Sequence, residues 1–127
     1  MREDSVIVFM DDDPARAALA CQRMTQADRE RTFWVQTVEE TLSMLNGYRE
    51  RLDIVSLGHD LGGYKYVHSG RDDTGMEVVR WLEKHNPVDF AHVRFIVHSW
   101  NVPAAIIMSR RLRARGYRVI RVPFGEQ

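Results

Sequence analysis

Ser5-Val6-Ile7-Val8-Phe9-Met10-Asp11-Asp12-Asp13-Pro14 is the stretch on which the fold turns. Its first half is an unbroken apolar run, the pattern of a strand buried on both faces. It then stops at three consecutive aspartates. Asp13 can cap a helix whose first position is Pro14, because proline lacks the N–H that a first helical turn leaves unpaired. A two-sided buried strand running straight into a capped helix is the opening of a βαβ unit.

The same alternation continues outward. The pattern predicts a helix over 14–26 with Ala17, Cys21 and Met24 on its buried side, then a second strand over 32–37. Thr37-Val38-Glu39-Glu40 reads as a capping box opening a second helix, which Asn46-Gly47 ends. A third strand follows over 53–57, and an irregular stretch over 58–74 rich in Gly, His, Asp and Tyr. Loops of that length inside a domain are usually functional or mobile. A third helix over 75–85 turns Val78, Val79 and Leu82 inward, a fourth strand covers 93–98, and Pro103 starts a fourth helix with Ala105, Met108 and Leu112 on one face. Gly116 ends that helix before a fifth strand over 117–122. Strands alternating with helices imply parallel pairs joined by right-handed crossovers, hence a doubly wound sheet.

Composition fits one domain. The chain has 127 residues, 44% of them hydrophobic, and two domains of half that length would each bury a poor core. Eighteen basic and eighteen acidic side chains cancel, so no overall field draws it to nucleic acid or to a membrane surface. The charge is nonetheless divided. Residues 1–63 carry 7 basic and 12 acidic groups, a net of −5, and residues 64–127 carry 11 and 6, a net of +5. The late excess is arginine (Arg110, Arg111, Arg113, Arg115, Arg118, Arg121), which reads as a solvated helix face before a phosphate groove. A single cysteine, Cys21, excludes an internal disulfide and points to a reducing compartment. No apolar run approaches the ~20 residues of a membrane span, and the N-terminus is not that of a signal peptide, so a cytoplasmic protein is expected.

The polar clusters are ordered by this topology. Asp11-Asp12-Asp13, His59-Asp60 and His98-Ser99-Trp100-Asn101 follow the first, third and fourth strands. In doubly wound sheets ligands bind beyond the carboxyl ends of the strands, so all three clusters belong to one edge.

The acidic pair after strand one, the helix start Thr74-Gly75-Met76-Glu77 and Ser99 after strand four resemble the receiver domain of two-component signalling. That resemblance implies a flavodoxin-like five-stranded sheet in the order 2-1-3-4-5. Receivers hold magnesium with the acidic pair beside a phosphoacceptor aspartate, and place a lysine before a proline after strand five. Here Gly58 stands at the phosphoacceptor position and Val122 precedes Pro123, so conventional aspartyl phosphorylation is not expected. A more specific resemblance covers residues 6 to about 108. Met10-Asp11-Asp12-Asp13, Ser56-Leu57-Gly58-His59-Asp60-Leu61-Gly62, Thr74-Gly75 and His98-Ser99-Trp100-Asn101 are similar to the cyclic-phosphate-processing receiver-like family. The family's usual strand-three motif has aspartate where this chain has Gly58.

Like charges as close as Asp11, Asp12 and Asp13 raise each other's pKa unless a cation sits among them. A Mg²⁺ or Mn²⁺ site with oxygen ligands from Asp11, Asp12 and Asp60 is therefore expected. His59 and His98 are expected across one pocket, as acid and base around a phosphodiester or as ligands of a transition metal. A structural histidine bonded within the fold is the competing reading of either one alone. Ser99 is expected as a donor to a phosphate oxygen before a nucleophile, Asn101 as a residue orienting a loop or ligand, and Trp100 as a base-stacking side chain or a core edge. Tyr64, Tyr66 and His68 are candidates for a lid.

Two functions follow. The first is a phosphoesterase that opens the cyclic phosphate of a nucleotide or an RNA end. The alternative is a non-catalytic pseudo-receiver that binds a phosphorylated ligand or a protein partner. The residues after strand five leave no room for the fifth helix of a receiver, so an apolar sheet face beside the first helix should be open and should form a homodimer.

Overall fold

The apolar run becomes a strand, β1 (Val6–Met10), buried along its whole length between two parallel neighbours. The computed structural model describes residues 4–58, 74–99 and 101–122. After β1 come α1 (Pro14–Gln22), α2 (Gln26–Glu30), β2 (Thr32–Val35), α3 (Val38–Gly47) and β3 (Leu52–Leu57). Then follow α4 (Gly75–Glu83), a 3₁₀ turn (Pro87–Phe90), β4 (Arg94–Val97), α5 (Val102–Arg115) and β5 (Arg118–Arg121). The five strands are parallel, as the alternation implied, and lie in the order β2-β1-β3-β4-β5, the α/β topology that the receiver resemblance implied. No helix among the described residues is long and apolar enough to cross a membrane.

Local signals account for most boundaries. The Asp13 carboxylate accepts from the Ala15 N–H and Pro14 opens α1. Thr37 accepts from the Glu40 N–H as expected, and the Glu40 carboxylate reaches back to the Thr37 hydroxyl and to the Gln36 N–H, one residue before the cap, in a variant of the expected capping box. Gly116 takes the left-handed conformation, φ 103°, that closes α5. Several element ends fall one or two residues inside the expected bounds, and one departure is larger. The helix expected over 14–26 stops at Gln22, and Thr25 caps a separate short helix by accepting from the Asp28 N–H.

The register divides the sheet into two faces. Val8, Val55, Phe95 and Val119 lie in one row, and they join Val78, Val79 and Leu82 of α4 and Ala105, Met108 and Leu112 of α5 in the main core. Successive strand residues alternate in direction, so the next row, Phe9, Ser56, Ile96 and Ile120, points the other way. On that face Phe9 packs with Ala17 and Ala20 of α1. Beyond α1 no described element covers this face, and Ile120 is 56% exposed. A cleft of about 340 Å³ lies between α1 and the strands, lined among others by Phe9, Met24, Ile54 and Ile96. A second, of about 190 Å³, continues over Ile96 and Ile120. Residues 123–127 lie outside the described residues, as does the whole of 59–73.

Candidate functional site

Two residues further along each strand, the open-face row continues as Asp11, Gly58, His98. The Gly58 N–H donates to the Met10 carbonyl and the His98 N–H to the Leu57 carbonyl, so the three positions sit side by side at the carboxyl ends of β1, β3 and β4. Gly58 is the middle member and has no side chain. A Cβ there would lie 3.3 Å from His98 Nε2 and 3.8 Å from Asp11 Oδ2. Its absence lets the outer two meet: His98 Nε2 stands 3.1 Å from Asp11 Oδ2.

His98 lies flat over the sheet. Its ring stacks on Phe9 with centroids 4.6 Å apart and planes 9° from parallel, and Ser56 Oγ is 2.7 Å from Nδ1. The residue is 1% exposed. Burial pushes the imidazole below its ordinary pKa, against the pull of Asp11. A neutral ring beside an ionised carboxylate must carry its proton on Nε2, so Nε2–H donates to Asp11 and Nδ1 accepts the Ser56 hydroxyl proton.

Asp11 is as fully engaged. Its Oδ1 accepts from the Asp13 N–H at 2.9 Å and from Arg16 Nη2 at 2.8 Å, and its Oδ2 from Arg16 Nε at 2.8 Å and from His98. Burial alone would raise the Asp11 pKa, but the hydrogen bonds from His98, Arg16 and the Asp13 amide outweigh it and hold it at about 2. A carboxylate has roughly four lone-pair positions, and here donors fill them all. The side chain therefore does not fit the metal-ligand role expected of it: a divalent ion at Asp11 would have to displace Arg16. No group of three or more potential metal-ligating side chains occurs among the described residues.

The other expected site residues divide into two sets. Ser99 and Asn101 are buried and bonded to each other, the Asn101 N–H donating to Ser99 Oγ at 3.1 Å. Asn101 also caps α5, its side-chain oxygen accepting from the Ala104 N–H. Asp12 stays at the edge of the site, 3.5 Å from Arg16 Nη2. His59, Asp60 and Trp100, with Tyr64, Tyr66 and His68, lie outside the described residues. Two participants were not singled out from the sequence. Ser56 opened the strand-three motif, as a hydroxyl inside an apolar strand, but was given no role. Arg16 had a better signal, since it lies three, four and five residues after the aspartates.

Three of the six late arginines are occupied elsewhere. Arg111 pairs with Glu83, Arg113 donates to the Val119 carbonyl, and Arg115 donates to the carbonyls of Glu83 and His85. They tie α5 to its neighbours, which is the structural reading of that charge run.

A family model described as the cyclic-phosphate processing Receiver domain matches residues 6–114. The chain belongs to that family. Among solved structures, this cyclic-phosphate processing receiver domain is similar to the crystal structure of a signal receiver domain from Vibrio parahaemolyticus. The match has a TM-score of 0.53 and 16% identity, and it covers 94% of this chain and 79% of the other. At that identity the likeness concerns the fold. No curated protein matches the chain. Gly58 leaves the space between Asp11 and His98 clear, where a Cβ would crowd the His98 ring at 3.3 Å.

Proposed function

We propose that this receiver domain is a binding module that recognises a cyclic phosphate at the carboxyl edge of its sheet without turning it over. The observation that carries this reading is the state of His98. An acid or base must exchange a proton with substrate or water. His98 is buried, neutral and bonded at both ring nitrogens, so as a proton shuttle it would first have to release Ser56 or Asp11. The family's description supports a cyclic phosphate as the ligand class, and the form proposed for it is a nucleotide or an RNA end. Helices α4 and α5 both begin at the same edge, and helix N-termini favour anions.

The phosphoesterase reading keeps one support, the word processing in the family's description. It would use His98 and His59 as acid and base, with Ser99 donating to a phosphate oxygen. One experiment separates the two: thermal shift and calorimetry with five- and six-membered cyclic nucleotides, followed by phosphorus NMR of each mixture. The binding reading expects stabilisation by at least one of them with its phosphate unchanged. Turnover that His98→Gln abolishes would replace it with the enzymatic reading.

A homodimer through the open sheet face belongs to the same proposal. The face presents Ile54, Ile96 and Ile120 beside the clefts. Its β5 margin carries Arg118, in register with Arg94 and Ile54, and its α2 margin carries Asp28, so two copies related by a two-fold axis can bring opposite charges together. Light scattering at tens of micromolar should give twice the chain mass, falling to the single mass in Ile120→Asp. A wild-type monomer under those conditions removes the dimer.

A further inference from the structure

Three adjacent aspartates at a strand end call for a positive charge, and the fold supplies one from within. Arg16 sits one turn into α1, so helical spacing returns its guanidinium to the acidic turn from which the helix starts. Its Nε and Nη2 grip both oxygens of Asp11 at 2.8 Å, Nη2 lies 3.5 Å from Asp12 Oδ1, and Nη1 lies 3.3 Å from Asp13 Oδ2. The two parallel N–H···O bonds are the fork geometry by which a planar guanidinium matches a carboxylate. Neighbouring groups hold the carboxylate for it: the His98 ring on one side, and the Asp13 N–H on the other. Gly58, whose Cβ position would lie 3.8 Å from Asp11 Oδ2, brings no further carboxylate to the turn.

We propose that Arg16 is the resident cation of this site, standing where a divalent metal would otherwise be held, and that the domain works without a metal ion. The inference goes beyond the binding reading and does not depend on it, since it concerns only the acidic turn and its counter-charge. An arginine stays protonated at any working pH and cannot be removed by chelation. It also fixes the Asp11 carboxylate in one orientation, which an exchanging ion would not.

Mn²⁺ alone is the probe, read by the electron paramagnetic resonance signal of the free ion. Wild-type protein should leave that signal undiminished at millimolar Mn²⁺. Arg16→Gln, which frees the Asp11 oxygens that face α1, should take up Mn²⁺ saturably, and adding Asp11→Asn should abolish the uptake. Circular dichroism of each variant establishes that it is folded. Saturable uptake by the wild type that Asp12→Asn abolishes would overturn the proposal, and so would a folded Arg16→Gln that takes up none. The wild-type titration decides by itself if Arg16→Gln does not fold.

Discussion

At the scale of single residues, the site is organised around an absence. Gly58 keeps an ordinary backbone conformation, so its value lies in the space it leaves and not in its φ. A methyl group there would press on the Met10 carbonyl oxygen at 3.1 Å and on His98 Nε2 at 3.3 Å. Backbone cannot retreat, so the ring must, and the His98–Asp11 bond opens. Gly58→Ala should therefore cost roughly 1–3 kcal/mol, the range for overpacking a well-filled site. Urea unfolding measures it directly. The same substitution in a His98→Ala background should cost less, because the ring is no longer there to be displaced. Equal costs in both backgrounds would mean that Gly58 is not shaped around His98. The motif made Gly58 visible as a departure from its family. What it made room for was not visible, because that depends on a contact between residues 87 apart in the chain.

At the scale of elements, the strands and most helices were readable from local chemistry. The five-residue apolar run, the Thr37 capping box and the Gly116 stop each act within a few residues, and each appears where expected. The α1–α2 break was harder to read. Thr25 competes with continuation of the helix by capping a new start, and nothing in the apolar spacing announces which outcome wins. The expected ligand role of Asn101 has a similar lesson, because its side chain is engaged in capping α5. Replacing such a cap with alanine typically costs about 1 kcal/mol. Asn101→Ala should thus lower the melting temperature by roughly 4 °C, and Asn101→Asp should restore most of it. A melting temperature unchanged in Asn101→Ala would return that side chain to the pool of ligand-binding candidates.

At the scale of the whole molecule, the sequence order of the polar clusters located the edge of the sheet that carries them, and Asp11, Gly58 and His98 meet there. The roles of those residues were less legible, since burial decides them and burial is a property of the assembled sheet. The network also sets how the fold responds to acid. His98 has a folded pKa below its ordinary value of 6.5, so below that pH the unfolded chain takes up a proton that the native ring refuses. Stability is lost as pH falls from about 6.5. Asp11, held at about 2, contributes a second loss: its share is complete above the unfolded carboxyl value and disappears as pH falls toward 2. That second step is worth about 2 kcal/mol. Chemical denaturation across this range should show both losses, and His98→Gln should lack the first.

The central claim is that His98 is a locked, neutral partner of Asp11 and Ser56. Imidazole ¹⁵N chemical shifts of His98 followed through a pH titration test it most directly. The account predicts a ring that keeps its proton on Nε2 and stays neutral well below pH 6.5. A His98 that titrates at the ordinary value, with the proton shared between both nitrogens above it, would contradict the account and restore the ring as a working acid and base.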